Sequence, residues 1–423
     1  MLPPRDPDER LKARGTDTRP DGRFEPHQRI READGWDIPE ESRLLRTQVT
    51  MERPRSIITR NTSPDISFDR SINPYRGCEH GCIYCYARPT HAYLGLSPGL
   101  DFETLITAKP DAAALLAREL GRPGYRPAPI ALGTNTDPYQ PIEAKLAIMP
   151  GILRVLSDWN HPLSLVTRGA TVLRDLDLLG DLAARRLVAV GVSVTSLDPA
   201  TCRTLEPRAP APAMRLRMIE GLARAGVPVR VMVAPVIPVL TDHEIERILQ
   251  AARDAGATMA SMIPVRLPLE VAPLFRDWLE THHPGKAAHV MTRIQAMRGG
   301  RDNDPRFGSR MRGEGHGRGR GQPRGGGRRG CRDGTHASVL SAGWGWWTQT
   351  GQRRSGSSTA QAAQRTSSVV QAGSAQLRSA EVGASHVTHR PMVSASAVKR
   401  VDRRRSNTAS SPRHSPASPR ASP

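Results

Sequence analysis

Between about residue 70 and residue 300, two hydrophobic rhythms alternate along this chain. Short, nearly continuous apolar runs rich in Val, Ile and Ala end in polar residues: APIALGTNTD (128–137), HPLSLVTRG (161–169), RLVAVGVSVTSLD (186–198), VPVRVMVAPVIP (227–238) and ATMASMIPVRLP (257–268). Between them lie segments with apolar positions spaced for one helical face: PDAAALLAREL (110–120), GILRVLSDW (151–159), TVLRDLDLLGDLAAR (171–185), AMRLRMIEGLARAG (213–226) and TDHEIERILQAARDAG (241–256). Near-continuous apolar strands alternating with amphipathic helices predict parallel βαβ units. With a first strand expected just before Cys78, about six units follow, short of the eight of a closed barrel. The fold class predicted is therefore α/β, a partial (βα)6 barrel of the TIM type.

In such an architecture, chemistry collects at the C-terminal ends of the strands. Polar residues stand there in this sequence: Asn135, Thr136 and Asp137 after one strand, Arg168 after the next, and Ser193, Thr195 and Ser196 at the end of a third. Each of these also has a plainer reading, as strand capping or turn hydrogen bonding.

Outside this region the pattern lapses. Residues 1–62 are polar with few apolar anchors and read as an extended N-terminal arm. Residues 63–300 carry the barrel, and residues 301–315 end the patterned region. From His316 onward the chain turns to Gly/Arg repeat, HGRGRGQPRGGGRRG, and then to Ser, Ala, Gln and Arg, with no Phe, Tyr or Ile. This low-complexity tail, 316–423, cannot build a packed core and is expected to be disordered. Its near-exclusive use of Arg over Lys is also what a GC-rich coding region yields in a shifted reading frame.

Charge sharpens that division. The net charge of +20 is concentrated in the tail, with 18 Lys+Arg against 3 Asp+Glu from residue 316 on, leaving 43 against 38 in residues 1–315. An excess that small gives the patterned region no general polyanion-binding character. The basic tail itself suits single-stranded nucleic acid through charge, although it has no Tyr or Phe to stack on bases. A nucleic-acid-binding protein acting through that tail, with a structural metal cluster, is thus the alternative function. No run approaches the roughly 20 apolar residues of a membrane span, and the N-terminus has no apolar signal core. A cytoplasmic protein with no membrane partner is expected.

The densest chemistry is the stretch NPYRGCEHGCIYCYARPTHAY, residues 73–93, which holds Cys78, Cys82 and Cys85 out of five cysteines in all. The spacing is C-x3-C-x2-C. A structural zinc normally takes four protein ligands, for which His80 or His91 is the available fourth. Three thiolates instead suit an iron–sulfur cubane with one iron left for another ligand. Cys202 and Cys331 have no partner at ligand spacing, and Cys202 reads as a half-buried structural cysteine.

This spacing, with the aromatic Tyr84 before the third cysteine and a strand ahead of it, resembles the radical S-adenosylmethionine (SAM) superfamily. From about Arg23 to Gly315, including SPDISFDRSINPYRGCEHGCIYCYARPTHAYLGLSPGLDFET, GTNTDPYQPIE and MRGGRDNDPRFGSRMRGEG, the chain is similar to bacterial relatives of spore photoproduct lyase, often labelled DNA repair photolyases. The resemblance implies a partial (βα)6 barrel with the cluster loop after the first strand. Cys78, Cys82 and Cys85 would hold a [4Fe–4S] cluster, and SAM would complete it and yield a 5′-deoxyadenosyl radical. It further implies a reducing electron donor of flavodoxin or ferredoxin type and leaves the substrate open, nucleic acid included.

Site residues carry over with it. Tyr84, Asn135, Thr136, Asp137, Arg168, Ser193 and Thr195 are expected near SAM, with Arg168 meeting its carboxylate and Ser193 or Thr195 near the adenosine. Tyr86 matches a tyrosine on the hydrogen-atom return path of the lyase, or else is a loop aromatic over the cluster. Thr134 stands where the lyase has a hydrogen-donating cysteine, which speaks against thymine-dimer reversal by that route. Glu206 and Arg215 are either SAM contacts or a surface ion pair.

Overall fold

The computed structural model describes residues 14–24, 45–308 and 310–311. The first half of the described chain forms β1 (Gln48–Met51), β2 (Ile58–Arg60), β3 (Arg70–Ile72), β4 (Tyr75–Arg76), α1 (Leu100–Thr104), β5 (Leu105–Ala108), α2 (Ala112–Leu120), β6 (Ile130–Leu132), α3 (Glu143–Leu146), α4 (Ile148–Asp158) and β7 (Leu163–Thr167). The second half adds α5 (Leu176–Ala184), β8 (Val188–Ser193), α6 (Pro199–Leu205), α7 (Pro212–Arg224), β9 (Val229–Val236), α8 (Ile245–Asp254), β10 (Met259–Pro264), α9 (Val271–His282) and α10 (Pro284–Met297).

The main sheet runs β10-β9-β8-β7-β6-β3-β2. Its six strands from β3 to β10 are all parallel and neighbour one another in chain order. They form the six-stranded partial barrel predicted, with β2 added antiparallel at its edge. The five later strands lie where the apolar runs placed them, and the first is Arg70–Ile72, ahead of the cysteine loop. In β3, β6 and most of β8 the side chains are buried on both faces, which is why those runs read as continuous, whereas β7 alternates and β10 is only partly covered. A single apolar core lies between the strands and helices α2, α4, α5, α7 and α8.

Two parts of the fold gave weak signals in the sequence. Within the polar arm, β1 pairs with β5 in a second, three-stranded sheet of order β1-β5-β4. Residues 14–24 are held largely by hydrogen bonds and charge, with one aromatic contact, Phe24 stacked on Tyr93: Gly15 N–H donates to Glu103 at 2.9 Å, Leu100 N–H to the Thr18 carbonyl at 2.9 Å, and Arg19 pairs with Asp101 at 3.0 Å. Such contacts leave no hydrophobic period. The other part is the pair α9 and α10, whose Phe275, Trp278, Leu279, Val290 and Ile294 pack with Cys82, Ile83 and Tyr84 in a second apolar cluster. These helices form a floor under the cysteine loop. Among the described residues no helix is long and apolar enough to cross a membrane. The expectations made for the tail, 316–423, lie outside the described residues.

Candidate cofactor site at the barrel mouth

The cysteine loop leaves the C-terminal end of β3 and is fixed by its glycines. Gly77 and Gly81 sit at φ of 76° and 65°, where side-chain-bearing residues are disfavoured. A Cβ on Gly81 would stand 2.6 Å from Glu103 Oε2, and one on Gly77 would stand 2.9 Å from His91, Ile106 and the Phe102 carbonyl. Cys78 N–H donates to the Phe102 carbonyl at 2.9 Å, Ile83 N–H to the Leu205 carbonyl at 3.0 Å, and Cys85 N–H to the Cys82 carbonyl at 3.1 Å.

Behind the loop lies Arg88, fully buried beside an equally buried Glu103. Its guanidinium donates to the carbonyls of Gly81 (3.2 Å), Cys82 (3.0 Å), Pro98 (3.2 Å) and Gly99 (2.9 Å) and to Glu103 at 2.5 Å. One side chain thereby donates to four buried carbonyls, of which Cys82 also accepts from Cys85 N–H. Sequence reading passed over this pair, because nothing in the spacing of Arg88 and Glu103 marks them as partners.

The three thiols are free, with Cys78 and Cys82 buried and Cys85 half-buried. Burial pushes Cys78 well above the ordinary thiol range, reinforced by Asp137 and by the neighbouring Cys82 and Cys85. Burial likewise lifts Cys82 to about 12. The three sulfurs are near enough for each charged form to disfavour the others, and a cationic centre beside them would favour the thiolates. Among the described residues no three His, Cys, Asp or Glu side chains converge as ligands of a single metal ion. A cubane offers each thiolate a separate iron, so three adjacent thiols that do not converge still fit one. His80 is buried in the same loop, pushed down to about 4 by burial, with Nδ1 3.5 Å from Asp137.

Opposite the loop, a buried network spans three strand ends. Arg168, just past β7, donates through Nη1 to Cys82 Sγ (3.1 Å), Tyr84 Oη (2.6 Å) and Glu206 Oε1 (2.7 Å). Thr195 Oγ1 donates to the same carboxylate oxygen at 2.7 Å, and Tyr84 Oη donates to it as well. Arg215 bonds the other oxygen and reaches the Ser193 carbonyl at 3.4 Å. Glu206 and Arg215 are both fully buried, which overturns the surface ion pair as a reading of these two residues. Burial disfavours the Glu206 carboxylate, but Arg215 and Arg168 outweigh it and hold the group at about 2. Cys202 is buried rather than half-buried.

Asp137 clamps two adjacent loops. It accepts from Arg168 N–H at 2.8 Å, Thr167 Oγ1 at 2.6 Å and Tyr139 N–H at 2.9 Å. Thr136 Oγ1 donates to the Tyr75 carbonyl at 3.0 Å, and Asn135 N–H to Asn73 Oδ1 at 3.0 Å. The structure thus gathers Tyr84, Arg168, Thr195 and Glu206 into one network and ties Asn135 and Thr136 to the segment leading into the cysteine loop. Tyr86, 49% exposed, donates its hydroxyl to the Thr134 carbonyl.

A six-stranded parallel partial barrel with three cysteines in the loop after its first strand defines a class, and residues 72–252 match the family model described as Radical SAM superfamily. The match covers the cysteine loop and strands β4 to β9, and members of that superfamily use a [4Fe–4S] cluster and S-adenosylmethionine. The chain is 42% identical over 221 residues to Uncharacterized protein Rv2578c of Mycobacterium tuberculosis (strain ATCC 25618 / H37Rv), covering 52% of this chain and 65% of the relative. It is 26% identical over 173 residues to Uncharacterized protein MJ0683 of Methanocaldococcus jannaschii, covering 41% of this chain and 62% of that protein. The chain therefore spans less than two thirds of the length of these relatives. Among solved structures, it is similar to spore photoproduct lyase complexed with dinucleoside spore photoproduct, at 18% identity and a TM-score of 0.41 over 56% of this chain and 66% of that one.

Proposed function

We propose that this protein is a radical SAM enzyme whose cluster is held by Cys78, Cys82 and Cys85. The observation that carries the reading is the set of three neighbouring thiols in the loop after β3, two buried and one half-buried, with the Arg168 guanidinium donating to the sulfur of Cys82. Bound there, cluster and SAM would supply one-electron reductive cleavage of the sulfonium, the electron coming from an external reductant.

The chain's own residues do the rest. Arg168 places a cation against the sulfur of Cys82, which favours its thiolate over its thiol. Glu206 offsets the charge of Arg168 and Arg215 and fixes where the Arg168 fork points. Asp137 holds the backbone on which Arg168 stands. Arg168, Thr195, Ser193, Asn135 and Thr136 together form the wall against which SAM lies. Tyr86 stands at the mouth on the substrate side, as a relay for a hydrogen atom. The donor of the electron is a small reducing protein of flavodoxin or ferredoxin type.

The test is anaerobic reconstitution with iron and sulfide. A brown protein with about four irons per chain is expected, and dithionite with SAM should release 5′-deoxyadenosine. Alanine at Cys78, Cys82 or Cys85 should abolish iron uptake, while Cys202→Ala keeps it. One tightly bound zinc per chain and no visible absorbance would overturn the reading.

A further inference from the structure

The segment closing the described fold, MRGGRDNDPRFGSRM (297–311), carries four Arg against two Asp and lies outside the cofactor network. It follows α10 and meets the connection between β2 and β3. Gly308 N–H donates to Asp65 at 2.6 Å, Arg310 also pairs with Asp65, and Arg310 reaches Ser63 Oγ at 2.6 Å. Beside it is a cavity of about 230 Å³ lined by Arg298, Gly299, Arg301, Asp304 and Arg306.

The acids here are already engaged. Asp304 accepts from the Arg306 backbone at 3.0 Å and from its guanidinium at 2.9 Å. Asp302 accepts from Arg276 at 2.6 Å and from Gln295 at 3.0 Å. Three cations are left without a bonded carboxylate among the described residues. Arg298 is buried and donates only to carbonyls: Arg310 at 2.8 Å, Val265 at 2.8 Å and Pro264 at 3.3 Å. Its Nε finds no acceptor, and neither does the Nε of Arg266, whose Nη1 reaches only Met311 Sδ at 3.3 Å. Arg301 is exposed at the cavity's edge with no ion pair among the described residues. Burial and the charge of Arg266 both weaken the Arg298 cation.

Cations that repel one another in a partly dry site are costly unless an anion joins them. Arg298 and Arg301 at the cavity, with the Arg266 charge close to Arg298, present cationic N–H donors suited to the oxygens of phosphate, and the exposed Arg301 fork can bond two of them at once. Gly299 and Gly300 turn the chain there at φ of 64° and 80°, and nothing lies within 4 Å of where a Cβ on Gly300 would stand, so the backbone itself is approachable. Next to the cavity, Phe307 is 63% exposed with the Arg310 guanidinium 4.4 Å from its ring.

We propose that this cavity binds a phosphate group, with Arg298 and Arg301 as its principal donors and Arg266 as the neighbouring cation. The assignment goes beyond the cofactor chemistry and does not depend on it. Two sources share this chemistry, a nucleic-acid backbone and a free phosphorylated compound.

The experiment is calorimetric titration of the full-length protein, cluster present, with inorganic phosphate, pyrophosphate and a thymidine trinucleotide at fixed ionic strength. Arg301→Gln should weaken binding about tenfold by removing a charge-assisted bond. Arg301→Lys should recover part of it, since the charge stays and the fork is lost. Because Arg301 is exposed and unbonded, the melting temperature should not move. The basic tail is common to parent and variants, so only the difference between them reports on the cavity. Preference for the trinucleotide identifies the backbone source, and preference for pyrophosphate the free compound. If the parent binds none of the three at millimolar concentration, or Arg301→Gln binds as the parent does, the proposal fails.

Discussion

The buried pair of Arg88 and Glu103 is the most consequential structural feature behind the cysteine loop, and Arg88→Met measures it. Methionine fills much of the volume but donates nothing. Four carbonyls on the loop and its neighbours lose the Arg88 donor, and the buried Glu103 loses its paired cation. Removing one member of a buried pair costs about 3–5 kcal/mol, a large share of the roughly 5–15 kcal/mol that keeps a typical domain folded. With a slope of about 4 kcal/mol per molar in guanidinium chloride, the unfolding midpoint should fall by about 1 M. Two of the lost bonds go to Gly81 and Cys82, so iron uptake on reconstitution should fall as well. Arg88→Lys should be intermediate, because one ammonium cannot span carbonyls on both sides. In the double variant Arg88→Met/Glu103→Leu, part of the stability should return, since an apolar pair leaves no buried charge. An Arg88→Met protein with the parent's midpoint and the parent's iron content would refute the assignment of the loop's rigidity to this residue.

Glu206→Gln leaves Arg168 and Arg215 as buried neighbours without their shared anion, so a loss of about 3–5 kcal/mol and weaker SAM binding by equilibrium dialysis are expected; parent-like values for both would show that the network is incidental. Gly81→Ala and Gly95→Ala form a matched pair, since the two sit at φ of 65° and 66° but only Gly81 has a neighbour within 4 Å of its would-be Cβ. Gly95→Ala should cost about 1 kcal/mol from backbone strain alone, and Gly81→Ala clearly more by denaturant unfolding; equal losses would mean that the Glu103 contact yields freely. Asp198 caps α6 through the Ala200 and Thr201 N–H groups, and its own hydrogen bonds to Thr201 hold its carboxyl below the usual range. Asp198→Ala should cost about 1 kcal/mol near neutral pH. A depressed native pKa stabilises above the unfolded value of about 3.9, so the gap between variant and parent should narrow as pH falls below about 4, and a gap that widened with acid would contradict the capping role.

What the sequence by itself determined is the part of the molecule governed by periodicity and local spacing. Apolar runs buried on both faces, such as Val188–Ser193, announce parallel strands because no polar alternation survives two-sided burial. The C-x3-C-x2-C spacing of Cys78, Cys82 and Cys85 is legible because it is local, and it is what points to the proposed cluster. Asn135, Thr136, Asp137 and Arg168 could be placed at strand ends because the barrel rule depends only on chain order. The partners of these residues were decided by tertiary structure. Glu206 meets Arg168 across 38 residues, Tyr84 meets Glu206 across 122, and Asp65 meets Arg310 across 245. Nothing in a single chain's order marks which buried acid will face which buried base. The arm's residues 14–24 and the α9–α10 floor were likewise decided by folding, the first through backbone and charge contacts that leave no hydrophobic period, the second through packing on a loop. Burial is the physical reason for the difference: it turned Glu206–Arg215 from a possible surface pair into a buried brace of the cofactor site, and it left Arg298 a cation in search of an anion.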